Sequence, residues 1–152
     1  MKGKTIIILI LLTVFSVSSF AQTKTYYSSN KSFSVSVPTS YSLYKQALPN
    51  FISFTSEKQH GVISVKREFV MTDQDFARYV REQKSSKPSK YRCIKVTESP
   101  NFYHYKFAAG LFVTHVFYMR KIIDGYSYVI LADGISMTEA QAKAILESVT
   151  AY

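Results

Sequence analysis

The chain has 152 residues, 47% of them hydrophobic and 15% aromatic, with 19 Lys or Arg against 10 Asp or Glu and a formal net charge of +9. That length holds one domain with a sizeable core and falls short of two ordinary ones, and the apolar content excludes a disordered chain. Cys93 is the only cysteine, which excludes an intramolecular disulfide and leaves the fold to its core.

Lys2 and Lys4 precede an apolar run from Ile6 to Val17, and Ser19-Phe20-Ala21 places small residues at both cleavage-determining positions. This reads as a secretory signal peptide over residues 1–21, because a membrane anchor needs about 20 consecutive apolar residues. The expected mature chain, 22–152, is a single α+β domain without a transmembrane segment. Removing Lys2 and Lys4 from the 19 basic residues leaves 17 against 10 acidic, a net charge of +7. A periplasmic or extracellular protein does not meet cellular nucleotide pools, and the chain carries no Gly-rich phosphate loop. No cofactor is expected, and nucleic acid is not an expected partner.

Lys24 to Ser29 reads as a short first strand. In Phe33-Ser-Val-Ser-Val37 strict alternation puts Phe33, Val35 and Val37 on one face, and Pro38 ends the run. Tyr41 to Pro49 is a connection that can include a helical turn. Phe51–Thr55 and Val62–Val65, the second extendable to Phe69, flank a Gly-containing loop and read as a hairpin. Thr72, three residues before Asp75, gives a capping-box start to a helix with Phe76, Ala77 and Val80 on one side. Strands follow at Tyr91–Thr97, with Ile94 and Val96 on the apolar face, and at Phe102–Ala108.

The strongest signal is Val113–Ile123, Asp124-Gly125, Tyr126–Ala132: two apolar runs joined by the Asp-Gly pair that a type I′ turn requires. Thr138 and Gln141 then open a helix whose Ala142, Ile145, Leu146 and Val149 form one stripe. Hairpin connections with two helices predict an antiparallel β-sheet with one mid-chain and one C-terminal helix packed on it, an α+β class.

Phe33-Ser-Val-Ser-Val-Pro38 followed by the aromatic Tyr41, a middle helix, a run of antiparallel strands, and a last helix ending in Glu147-Ser-Val149 resemble the PsbP-like or Mog-like domain over about residues 24 to 150. The resemblance implies an α-β-α sandwich and a non-catalytic accessory or binding role. It carries no functional residue onto this chain.

Two side-chain sets stand out for chemistry. If Ala109-Gly110 is a two-residue turn, Ala108 pairs with Leu111 and His104 lies opposite His115, with Cβ atoms about 4.5–5.5 Å apart. A zinc site needs three or four protein ligands, and His60, Glu98 and Asp124 fall on other segments or at strand ends. No metal site is assigned, and a metal-dependent hydrolase using His104 and His115 is the least favoured alternative. The second set is Arg78, Arg81, Lys84, Lys87, Lys90 and Arg92, continued by Lys95 and interrupted by Glu82. Clustered cations concentrate anions, so these six are the candidate contacts for a protein or anionic envelope component.

Tyr103, Tyr105 and Phe107 share one strand face. A helix will cover them, unless partial cover leaves an aromatic pocket for a small ligand or lipid. Cys93 reads as a small hydrophobe in a sheet, and Asp124 and Asp133, each before a glycine, read as turn residues. No serine lies in a Gly-x-Ser-x-Gly turn, and no catalytic residue is assigned.

Overall fold

The computed structural model describes residues 22–152, so the signal-peptide reading of residues 1–21 lies outside the described residues. Twelve elements follow one another: β1 (Thr23–Tyr27), β2 (Phe33–Pro38), β3 (Ser42–Leu43), β4 (Phe51–Ser56), β5 (Gly61–Phe69), α1 (Asp73–Ser85), β6 (Arg92–Ser99), β7 (Phe102–Ala109), β8 (Phe112–Ile123), β9 (Tyr126–Gly134), α2 (Glu139–Ser148) and β10 (Thr150–Ala151). The segment after Tyr41 holds the two-residue strand β3 in place of a helical turn.

Seven strands form an antiparallel sheet in the order β3-β4-β5-β9-β8-β7-β6, and β1-β2-β10 form a separate three-stranded sheet. The α+β class expected from the hairpin pattern is the class observed. The centre of the large sheet is the β8–β9 hairpin, where Ile123 pairs with Tyr126 across Asp124 and Gly125. Both turn residues have positive φ, 50° and 77°, as type I′ demands.

Alternation along the strands builds two cores. Facing α2 and the small sheet, Phe33, Val35, Ile63, Phe117, Ile130, Ala142 and Ile145 belong to one cluster. On the opposite face, Phe76 and Val80 of α1 pack on Tyr105, Phe107, Val116, Tyr118 and Val129. Each fully buried Phe or Ile side chain contributes about 1.5–3 kcal/mol of transfer free energy.

Capping boxes start both helices: Thr72 accepts from the Asp75 N–H, and Thr138 from the Gln141 N–H. The start of α1 is further fixed by β8 and β9. Ser127 Oγ accepts the Met71 N–H at 2.8 Å, and Arg120, 3% exposed, donates to the Met71 carbonyl at 2.6 Å and to Asn101 Oδ1. The Arg120 guanidinium also pairs with Asp73 and lies 5.3 Å from the centroid of the Phe76 ring.

Two expectations are corrected. Ile94 and Val96 are 38% and 45% exposed, and Cys93 is exposed too, because β6 is the outermost strand of the large sheet. A register shift between Lys95 and Thr97 bulges Val96 out of the ladder. Asp133 is no turn residue: it lies within β9, and its Oδ1 accepts the Val62 N–H at 2.5 Å. Burial raises the Asp133 carboxyl above the usual carboxylate range, against the Val62 hydrogen bond and the charge of Lys87.

Candidate functional site

Helix phase sends Phe76 and Val80 into the sheet and leaves Arg78 and Arg81 in water. Further along, the chain lays two lysines over the aromatic stripe of β7 and a third over Tyr91, just ahead of β6. Lys84 Nζ lies 4.1 Å from the Tyr105 ring centroid, Lys87 Nζ 5.6 Å from that of Phe107, and Lys90 Nζ 5.4 Å from that of Tyr91. The ammonium groups themselves sit over the rings, a cation–π arrangement. Tyr105 and Phe107 are buried under this cover, as the sequence suggests, and Tyr103 is half-buried. The Tyr105 hydroxyl donates to Glu98 Oε1 at 2.5 Å, and burial together with Glu98 holds the phenol well above its ordinary pKa.

Of the six predicted cations, Arg78 is held by Asp75 at 2.5 Å. Among the described residues, none of the other five has a carboxylate within ion-pair distance. The set divides at β6. Arg92 pairs with Ala108 and Cys93 with Phe107, so alternation turns Arg92 toward the α2 face, away from Lys84 and Lys87. What remains on the α1 side is a strip of Arg81, Lys84, Lys87 and Lys90.

On the α2 face the two histidines do meet, though not in the expected register. The β7–β8 turn is Gly110-Leu111, so Ala109 pairs with Phe112, Lys106 with His115, and His104 with Phe117. Gly110 has φ +61° and Leu111 has no positive φ, the type II′ pattern with Gly first. An Ala109-Gly110 turn of type I′ would force Ala109 into the left-handed region. Both strands shift by one residue, so the faces are preserved and the histidines become diagonal neighbours. His104 Nε2 and His115 Nδ1 are 2.9 Å apart.

Glu139, the first residue of α2, completes the cluster. Its Oε1 is 3.1 Å from His104 Nδ1 and accepts the Thr97 hydroxyl at 2.6 Å. The β6 bulge makes this possible by setting Thr97, in place of Val96, beside His104. The Thr97 and His104 hydrogen bonds hold the Glu139 carboxyl below its usual range. Burial lowers His104 against the pull of Glu139; burial, His104 and Lys106 lower His115. Among the described residues, no group of three or more His, Cys, Asp or Glu is placed to hold a metal ion. Spacing along the chain gave no sign of Glu139, which lies 35 residues from His104.

Two clefts open elsewhere. One, of about 360 Å³, lies between Pro38, Tyr41, Lys58, Gln59, Met137 and Gln141. The other, of about 440 Å³, is lined by Asn50, Lys66, Arg67, Glu68, Phe69 and Tyr126, and Phe69 is 86% exposed. Neither draws on Tyr103, Tyr105 or Phe107, the stripe on which the alternative of an aromatic carrier pocket rests.

No family model and no curated protein sequence matches this chain. Solved structures do. The solution structure of the cyanobacterial PsbP protein CyanoP from Synechocystis sp. PCC 6803 superposes with a TM-score of 0.56 at 12% identity, covering 93% of this chain and 99% of that one. The fold is PsbP/Mog-like. The Ran-binding protein Mog1p of Saccharomyces cerevisiae matches this PsbP/Mog-like chain with a TM-score of 0.54 at 10% identity, over 86% of this chain and 96% of its own. A Bacteroides thetaiotaomicron protein gives 0.54 at 11% identity, with 86% of this chain matched to 49% of that one. Among the described residues, no helix of this PsbP/Mog-like domain is long and apolar enough to cross a membrane.

Proposed function

We propose that this protein is an exported, non-catalytic binding module that docks an acidic protein surface through the strip Arg81, Lys84, Lys87 and Lys90. The observation that carries the reading is the set of cations on α1 and the following loop with no carboxylate in ion-pair reach among the described residues, two of them seated on buried rings of β7. Cations fixed in place by aromatic packing lose less side-chain entropy on docking than free ones, and their field speeds encounter with an anionic patch. The neighbour described as a Ran-binding protein supports a protein partner on this fold. Export to the periplasm or beyond rests on the sequence of residues 1–21.

The test is retention of the mature chain on immobilised heparin and on vesicles of anionic lipid, followed by capture of acidic proteins from its own envelope fraction. Arg81→Ala/Lys84→Ala/Lys87→Ala should lower the salt needed for elution from heparin and release the captured protein. Retention unchanged by the triple substitution overturns the reading. Retention on vesicles with no captured protein assigns the strip to lipid head groups.

A further inference from the structure

The hydrogen bonds around His104 fix the proton positions in the cluster. Glu139 is held ionised by Thr97 and His104, and a carboxylate only accepts. His104 Nδ1, 3.1 Å away, therefore carries a proton and donates it. In a neutral imidazole the other nitrogen is then a lone pair, so His104 Nε2 accepts from His115 Nδ1–H at 2.9 Å. That leaves the lone pair of His115 on Nε2. Among the described residues this atom has no hydrogen-bond partner, and it is not among the buried atoms lacking one, so it opens to solvent.

One proton added to this chain changes the outer atom. A protonated His104 has N–H on both nitrogens and donates to Glu139 and to His115 Nδ1. His115 must then accept on Nδ1 and carry its proton on Nε2. The surface atom passes from acceptor to donor while the three residues keep their places.

The surroundings select what this donor meets. Lys106 lies directly across from His115 on β7, and Ile94 of β6 lies across from Lys106. Arg92 is on the same face of β6 beside Ala108, Gly134 of β9 stands opposite His115 without a side chain, and α2 contributes Glu139 and Lys143, the latter 3.9 Å from Glu139 Oε2. Lys106, paired with His115 and close enough for its charge to act on that imidazole, disfavours a metal ion at the outward nitrogen and favours an anion. We propose that proton uptake by the Glu139–His104–His115 chain opens, between His115 Nε2 and Lys106, a site for a sulfate- or phosphate-type oxyanion, free or esterified. The site is on the opposite face of the sheet from the α1 strip, and either reading can fail without the other.

The experiment is a titration of the mature chain with inorganic sulfate and with methyl sulfate, followed by backbone amide shifts. Both probes keep their charge below 6.5, the range into which burial moves both histidines, so pH dependence belongs to the protein. Long-range imidazole nitrogen spectra report the tautomers. At about pH 8, His104 and His115 should both be protonated on Nδ1, and at about pH 5 His115 should carry its proton on Nε2. Sulfate should bind at least fivefold more tightly at about pH 5, shifting the Lys106 and His115 amides. Tighter binding of inorganic sulfate than of methyl sulfate marks a site for the free ion, and the reverse marks one for an ester. His115→Gln, whose amide donates at every pH, should bind sulfate with little pH dependence, and Lys106→Gln should lose it. In Glu139→Gln the amide can donate to His104, so His115 should carry its proton on Nε2 already at about pH 8. An Nε2-protonated His115 in the unaltered chain at about pH 8, or sulfate shifts absent from Lys106 and His115, overturns the proposal.

Discussion

Replacing Arg120 by Met separates a buried anchor from a surface ion pair. The Arg120 side chain is 1% exposed and that of Asp73 68% exposed. Arg120→Met leaves the Met71 carbonyl and Asn101 Oδ1 without their donor. Each buried acceptor left without its donor costs about 1–3 kcal/mol. Because the Met stem restores part of the packing under Phe76, the expected loss for the two acceptors together is below the middle of their sum, about 3 kcal/mol. Asp73→Ala gives up an ion pair open to solvent, worth at most about 1 kcal/mol. Urea unfolding of both variants, followed by circular dichroism with m-values compared, should place Arg120→Met at least about 2 kcal/mol below Asp73→Ala. Amide exchange at Phe76 and Val80 should quicken in the Arg120 variant, since the start of α1 loses its hold on β8. Equal losses in the two variants, or a gain for Arg120→Met, would refute the reasoning.

Three further outcomes follow from the packing. Asp133→Asn should stabilise the protein at neutral pH. The folded carboxyl titrates above its unfolded value, so native stability falls as pH rises from below the unfolded pKa through the folded one; the gain should vanish in acid, and a gain that persists there in thermal melts contradicts this. Gly61→Ala should be far more damaging than Gly110→Ala, because a Cβ at 61 would lie 2.2 Å from the Asp133 carbonyl oxygen, whereas at 110 it meets nothing within 4 Å; the second change costs about 1 kcal/mol for its positive φ, and denaturant midpoints decide. Ile145→Ala, at a position 2% exposed between α2 and the sheet, should cost about 2–5 kcal/mol, measured by the same unfolding.

Much of the architecture was legible because local signals agreed with the fold. The Asp124-Gly125 turn and the two capping boxes at Thr72 and Thr138 are short-range chemistry, and they stand where the residues put them. Tyr105 and Phe107 are covered by the helix their periodicity called for. What failed depended on neighbours distant in sequence. Ile94 and Val96 look like an apolar strand face, but only the sheet order reveals that β6 is an edge. The Phe33–Val37 alternation gives a strand without saying that it joins a second sheet with β10. A turn at Ala109-Gly110 sets His104 directly against His115; the turn at Gly110-Leu111 moves the register by one residue on each strand, which keeps the two rings on one face and in contact. Glu139 joined them only once α2 lay across the sheet, and the splitting of Arg92 from the other cations needed the β6–β7 register.

The small sheet has a consequence for attachment. β1 and β10 flank β2 on its two sides, with Thr23 beside Pro38 at one end of β2 and Ala151 beside Phe33 at the other, so the two points lie roughly 19 Å apart by strand rise and strand spacing. A short loop would join them, making the domain suited to circular permutation with new ends cut at Asp124-Gly125. Any fusion or support coupled through either end would also sit in the β1-β2-β10 layer, leaving the opposite, lysine-bearing surface turned outward.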